Sequence, residues 1–203
     1  MPRNTLRTLV LAGLLSLGTL ALTACNRPPA VVFKSTDITG VPYAQTLDLA
    51  DISGQKRSIS DFKGKVVIVF FGFTQCPDVC PTTLAEIVQV KQALGPDGDR
   101  IQPIFITVDP ERDTPEVLKA YVTSFDPGFI ALRGTLEETT AVAKEFKVYF
   151  AKVPGKTPTS YTMDHTAGSY VFDTHGKVRL LIRNGSGIPV WVADLKALLS
   201  QAD

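Results

Sequence analysis

Residues 64–87 read "GKVVIVFFGFTQCPDVCPTTLAEI", and this stretch decides the fold. Lys65 to Phe71 is an unbroken β-branched and aromatic run, the pattern of a strand buried on both faces. From Pro81 to Leu94 the apolar residues fall at helical spacing, with Gly95-Pro96 as the stop. Between strand and helix lie Cys76 and Cys80, three residues apart and each followed by proline. A residue before proline is biased away from helical dihedrals, so neither cysteine is expected in mid-helix. Pro81 suits the first helical position. Cys80 then sits at a helix amino terminus, where the helix dipole favours thiolate over thiol. A thiolate is both a nucleophile and a metal ligand. The plain alternative is an inert buried pair. The two prolines, Asp78 between the cysteines and the position past a strand end all weigh against it.

Working outward, Gln45 to Ala50 and Arg57 to Ile59 predict a hairpin around Ser53-Gly54. Ile101 to Val108 predicts a second buried strand. Thr114 caps a helix with Pro115 at its first position, running to about Phe125. Leu136 to Phe146 predicts another helix. Ser169 to Asp173 and Lys177 to Ile182 flank the turn Thr174-His175-Gly176, and Pro189 to Leu199 predicts a closing helix. This order is that of an α/β, thioredoxin-like fold. The expected architecture is a central mixed sheet flanked by helices, with an N-terminal hairpin and inserted segments. Sites in such sheets lie beyond the carboxyl ends of the parallel strands, which is where Cys76 and Cys80 fall.

Two thiolates alone coordinate a metal poorly, and the chain has two histidines that could add a donor. If the strand near Ser169 runs antiparallel to Lys65–Phe71, its start lies at the edge where the first strand ends. His165 then faces the cysteine loop. His175 lies at the far end of that strand, roughly 15–20 Å away at about 3.3 Å per residue. Two thiolates and one imidazole form a soft site suited to Cu(I), and the imidazole also suits Cu(II). Zinc competes, but its structural sites usually close with four protein ligands. Asp78 and Asp164 are candidates to orient the ligands from outside.

The amino terminus carries an address. Residues 1–24 have a positive start at Arg3 and Arg7 and an almost wholly apolar stretch from Leu9 to Ala24. That is short for a membrane span of about 20 apolar residues and fits a signal peptide. Leu22-Thr23-Ala24-Cys25 resembles a bacterial lipobox, which implies cleavage before Cys25 and lipidation of its sulfur. Several acyl chains anchor a protein stably. The expected division is a lipoprotein signal peptide over 1–24, a lipidated tether over 25–44 and a copper-binding domain over 45–203. The domain faces the periplasm or the cell exterior from a bacterial membrane. Cleavage removes two of the 21 basic residues, leaving 19 against 20 acidic. Nothing in that balance suggests nucleic acid, which calls for a basic face.

"GKVVIVFFGFTQCPDVCPTTLAEI", "ITVDPERDTPEVLKAYV" and "MDHTAGSYVFD" together resemble the signature blocks of the Sco/SenC family. The resemblance runs, with breaks, from about Gln45 to the closing helix. It implies a membrane-anchored, thioredoxin-like copper protein that helps mature the binuclear copper centre of cytochrome c oxidase. It places the metal ligands on Cys76, Cys80 and His165, and Asp109 at the site edge as a support. It also implies partners: the oxidase's copper-site subunit and an upstream periplasmic copper donor. Gln75 departs from the family, whose members often carry histidine there. The lipobox departs too, since many relatives use a transmembrane helix.

Three functions compete on these residues. One is a copper metallochaperone or assembly factor. The second is a thiol–disulfide oxidoreductase that reduces the copper-site subunit without delivering metal, so that enzymatic activity is an open question. Against simple thioredoxin chemistry, the spacer is three residues rather than two. His165 also stands near where thioredoxins place a proline. The third is a peroxidase or redox sensor. A peroxiredoxin-like site wants threonine three residues before its cysteine, where this chain has Phe73 and Pro77.

Overall fold

The computed structural model describes residues 31–157 and 160–201. The expected signal segment and Cys25 lie outside the described residues. The sheet is built around β4 (Val66–Gly72), every residue of which is buried. Its run of Val, Ile and Phe suits a position with neighbours on both sides and on both faces. β5 (Ile101–Thr107), equally buried, pairs parallel to it, Val66 opposite Ile101 and Gly72 opposite Thr107. β9 (Gly168–Phe172) pairs antiparallel on the other side, Phe70 opposite Ser169 and Val67 opposite Phe172. The start of β9 therefore lies at the end of β4.

The remaining strands of this sheet are β1 (Thr36–Asp37), β2 (Leu49–Asp51), β3 (Lys56–Arg57), β6 (Ile130–Arg133) and β10 (Val178–Arg183). The sheet order is β1-β10-β9-β4-β5-β6-β2-β3. Among the described residues four α-helices accompany it: α1 (Val79–Leu94), α2 (Pro115–Thr123), α3 (Leu136–Glu145) and α4 (Ile188–Leu199). This is the mixed, helix-flanked α/β architecture expected, hairpin included. Asp51 fixes the hairpin turn by accepting from the Ser53 and Gln55 amides and the Ser53 hydroxyl. Residues 59–62 form a 3-10 turn rather than continuing the strand, because the Asp61 carboxylate caps the Ser58 amide at 2.8 Å.

Three features differ from the sequence reading. First, the folded unit begins at Phe33, so residues 33–44 belong to the domain and not to a weakly structured tether. Asp194 of α4 is buried, and its two carboxylate oxygens accept from the Lys34 and Ser35 amides at 2.8 Å each. β1 then pairs with β10, and Ala44 is fully buried. Second, β7 (Phe150–Pro154) and β8 (Tyr161–His165) form a separate antiparallel ribbon, with Phe150 opposite His165. Third, α1 starts at Val79, which puts Cys80 inside the first turn. Pro81 costs no hydrogen bond there, because the first four amides of a helix have no intrahelical acceptor.

The core is aromatic and aliphatic, with Phe70, Phe71, Phe105, Phe146, Phe172 and Trp191 all fully buried. Among the described residues, no helix is long and apolar enough to cross a membrane.

Candidate metal centre

β4 ends at Gly72, and the chain turns through Phe73 and Thr74 toward the cysteines. The Cys76 amide donates to the Phe73 carbonyl at 3.2 Å, closing that turn. The Cys80 amide donates to Cys76 Sγ at 3.4 Å. Cys80 is buried and Cys76 half-buried, and both are free thiols. His165, the last residue of β8, brings Nε2 to 3.5 Å from Cys80 Sγ. The donor atoms of Cys76, Cys80 and His165 all lie within 4.8 Å of one another. A tetrahedral metal about 2.3 Å from sulfur and about 2.0 Å from nitrogen requires an S···N separation of about 3.5 Å. The spacing observed between Cys80 and His165 therefore fits a shared ion.

The imidazole is held in one orientation. The His165 Nδ1 lies 3.0 Å from the Thr166 carbonyl oxygen. A carbonyl only accepts, so Nδ1 carries the proton and the Nε2 lone pair faces Cys80. The ring stands edge-on to Phe70 and Phe73, with centroids 6.2 and 5.8 Å away. Thr166 is fixed in turn, since its amide donates to the Tyr149 carbonyl and its hydroxyl accepts from the Tyr149 amide.

Burial sets the charge state. It pushes the Cys80 thiol well above its ordinary value, against a weaker opposing hydrogen bond with the Phe73 backbone. The expectation that a helix amino terminus would leave Cys80 as a thiolate is therefore corrected: desolvation outweighs the dipole. Burial also lowers the His165 pKa, and the Thr166 bond and the Asp164 charge only partly oppose it. Burial thus favours the protonated Cys80 thiol and the neutral His165 ring, and a cation that takes Cys80 as ligand displaces its proton.

The histidine shift has a consequence for stability. The unfolded chain takes up a proton near pH 6.5, whereas folded His165 does so only at lower pH. Between those two values the unfolded state binds more protons, so stability falls as pH drops below about 6.5. Urea unfolding of the metal-free protein at pH 7.5 and 5.5 checks this. His165→Gln is expected to lose less stability over that interval than the wild type.

The other residues singled out from sequence sit around this centre. Asp78 is exposed at the cap of α1 and accepts from the Thr82 hydroxyl at 3.3 Å. Asp164 is exposed on β8 and acts on His165 through its charge. The ring's hydrogen-bond partner is the Thr166 carbonyl. Asp109 is buried, accepts from the Tyr161 hydroxyl at 2.9 Å and forms an ion pair with Arg112. His175 lies in the β9–β10 turn, at the opposite end of β9 from His165.

Two residues went unnoticed in the sequence reading. Asp113 is fully buried and accepts from the Thr74 amide and hydroxyl and from the Thr107 hydroxyl. Burial raises its pKa despite these bonds. It pins the cysteine loop to the end of β5. Arg112 does the same for the histidine strand. Its Nη1 donates to Gln75 Oε1 at 3.1 Å and to the Tyr161 carbonyl at 2.8 Å, and its guanidinium lies 3.7 Å over the Tyr161 ring. One planar group thus ties the residue before Cys76 to the strand that ends in His165. Lysine cannot reproduce that fork. Arg112→Lys is expected to weaken copper binding about tenfold, the lower end of what outer partners contribute, as read by competition with a chelator.

Residues 36–200 match the SCO1/SenC family. An SCO2-like protein of Rickettsia typhi is 34% identical over 182 residues, covering 87% of this chain and 90% of that one. An SCO2-like protein of Rickettsia felis is 40% identical over 131 residues, 64% of each chain. Among solved structures, Bradyrhizobium japonicum ScoI with copper bound is 43% identical. It matches with a TM-score of 0.68 over 75% of this chain and 97% of that one.

Proposed function

The chain belongs to the SCO1/SenC family, and from that premise we propose that it is a copper metallochaperone of cytochrome c oxidase assembly. The observation that carries the proposal is the convergence of Cys76, Cys80 and His165, with the Nε2 lone pair turned toward the sulfurs. Two sulfurs suit Cu(I), and the imidazole extends the site to Cu(II). Three ligands leave room for a donor from a partner, which a carrier needs for hand-over. The copper bound to the Bradyrhizobium relative supports copper as the cargo. On this reading the upstream partner is a periplasmic copper donor and the downstream partner is the copper-site subunit of the oxidase. Lipidation at Cys25 would hold the domain at a bacterial membrane facing the periplasm. Mass spectrometry of the mature amino terminus tests that anchor, and an unmodified native residue there would defeat it.

A second reading has its own support. Cys76 and Cys80 are adjacent free thiols, which also suits a reductase of the oxidase subunit's cysteines. The two readings part at His165. In a strain lacking this protein and limited for copper, oxidase activity is expected to be restored by the native gene or by added copper. Cys76→Ala, Cys80→Ala and His165→Ala should each fail at matched protein levels. Full rescue by His165→Ala, with none by either cysteine variant, would favour the reductase over delivery.

A further inference from the structure

A second concave site lies at the opposite end of the central strands from the cysteines. It encloses about 310 Å³ between the 3-10 turn and the β9–β10 turn, and Ser58, Ser60, Lys63, His175 and Lys177 line it. None of its lining residues is acidic. The neighbouring carboxylates have partners other than the two lining lysines. Asp61 accepts from the Ser58 amide, Asp48 pairs with Lys56, and Asp173 pairs with Arg179. Among the described residues neither Lys63 nor Lys177 has a carboxylate partner. Both lysines are exposed and line one cavity, and an anion placed between two such positive charges is attracted by both.

The walls are fixed. The Asp173 carboxylate accepts from the His175 amide at 3.0 Å and the Lys177 amide at 2.9 Å, which sets the turn that presents both side chains. The Gly64 amide donates to the Thr174 carbonyl at 2.8 Å, joining the segment after Lys63 to that turn. The Ser58 and Ser60 hydroxyls lie 2.7 Å apart. One of their two protons bridges them and the other is left to donate.

We propose that this pocket binds an oxyanion of the phosphate class, as free phosphate or as the phosphomonoester headgroup of a lipid. Two ammonium groups, an imidazole and a hydroxyl pair supply donors for several oxygens at once, and charge-assisted bonds of this kind are the strong ones. The volume fits a phosphoryl group with a small organic attachment. The occupant sits at the opposite end of β4 and β9 from the cysteines, so both sites can be filled together.

The test uses the full chain in nanodiscs of phosphatidylcholine, with the His175 ring resonances as readout. One arm titrates inorganic phosphate at constant ionic strength, and the other includes phosphatidic acid in the disc. The expected result is a saturable shift that the Lys63→Gln/Lys177→Gln pair weakens about tenfold or more, as loss of two bonds to charged donors implies. Copper binding by the pair should be unchanged, which verifies its fold. A lysine-dependent shift with phosphate identifies a soluble ligand, and one confined to phosphatidic acid identifies a headgroup. The proposal is overturned if neither arm saturates, or if the lysine pair responds like the wild type.

Discussion

Cys80→Ser is expected to lower copper affinity by more than about a hundredfold, since even the outer partners of a metal site contribute 10- to 100-fold. Cys80 is the donor best placed to show this. Its Sγ is within 3.5 Å of His165 Nε2 and receives no water-facing contact in its buried position. Serine keeps the fold's volume but offers a hard, poorly ionised oxygen to a soft ion. The purified wild type should carry about one copper per chain, because among the described residues one three-donor cluster exists. Cu(II) bound to it should show strong sulfur-to-copper charge-transfer absorption, which Cys80→Ser and Cys76→Ser each abolish. His165→Ala should cost Cu(II) more than Cu(I), since two sulfurs still hold the softer ion. Retention of full copper stoichiometry by Cys80→Ser would overturn the ligand assignment.

Gly72→Ala is expected to damage both the core and the metal centre with a single methyl group. A Cβ at Gly72 would lie 2.8 Å from Cys80 Sγ, 2.8 Å from Phe105 Cε2 and 3.0 Å from Phe70 Cε1. All three neighbours are fully buried, so none can swing into solvent. Overpacking of this kind costs about 1–3 kcal/mol, and here relief requires moving the sulfur. Gly72→Ala should therefore lower both the urea midpoint and copper affinity. Combining it with Cys80→Ala removes one of the three clashes, so the double variant should be more stable than the sum of the single effects. Strict additivity would mean that Cys80 does not constrain this corner.

The sequence was most legible where burial made its pattern dense. The β-branched run of β4, the proline-marked cysteines and the Thr114 cap of α2 are local signals, and each matches an element of the structure. His165 was found by direction alone. An antiparallel β9 brings the residues before Ser169 to the end of β4, and the register of Phe70 opposite Ser169 does so. Elements without a burial pattern escaped. No residue of β7 is buried, and in β8 only Met163 is, so neither strand carries the alternation that betrays a strand. β1 has two residues, too few for a period. Asp113 was missed because a buried acid is recognisable only from the hydroxyls and amides that meet it. Those come from Thr74 and Thr107, far apart in the chain.

The β7–β8 ribbon also divides the donor set mechanically. The sulfurs belong to the segment that runs from β4 into α1, where Cys80 is buried and Asp113 holds Thr74. The imidazole ends a two-stranded ribbon with a single buried side chain. Segments with so few buried contacts fray at a small fraction of the global unfolding free energy. Amides of Lys152 and Thr162 should accordingly exchange with deuterium far faster than those of Val69 and Ile104. A transient lift of the ribbon would leave a two-coordinate, sulfur-only site while the rest of the molecule stays folded. The Arg112 and Asp109 contacts to Tyr161 oppose that lift, so Arg112→Lys should speed exchange in the ribbon while leaving Val69 and Ile104 unchanged.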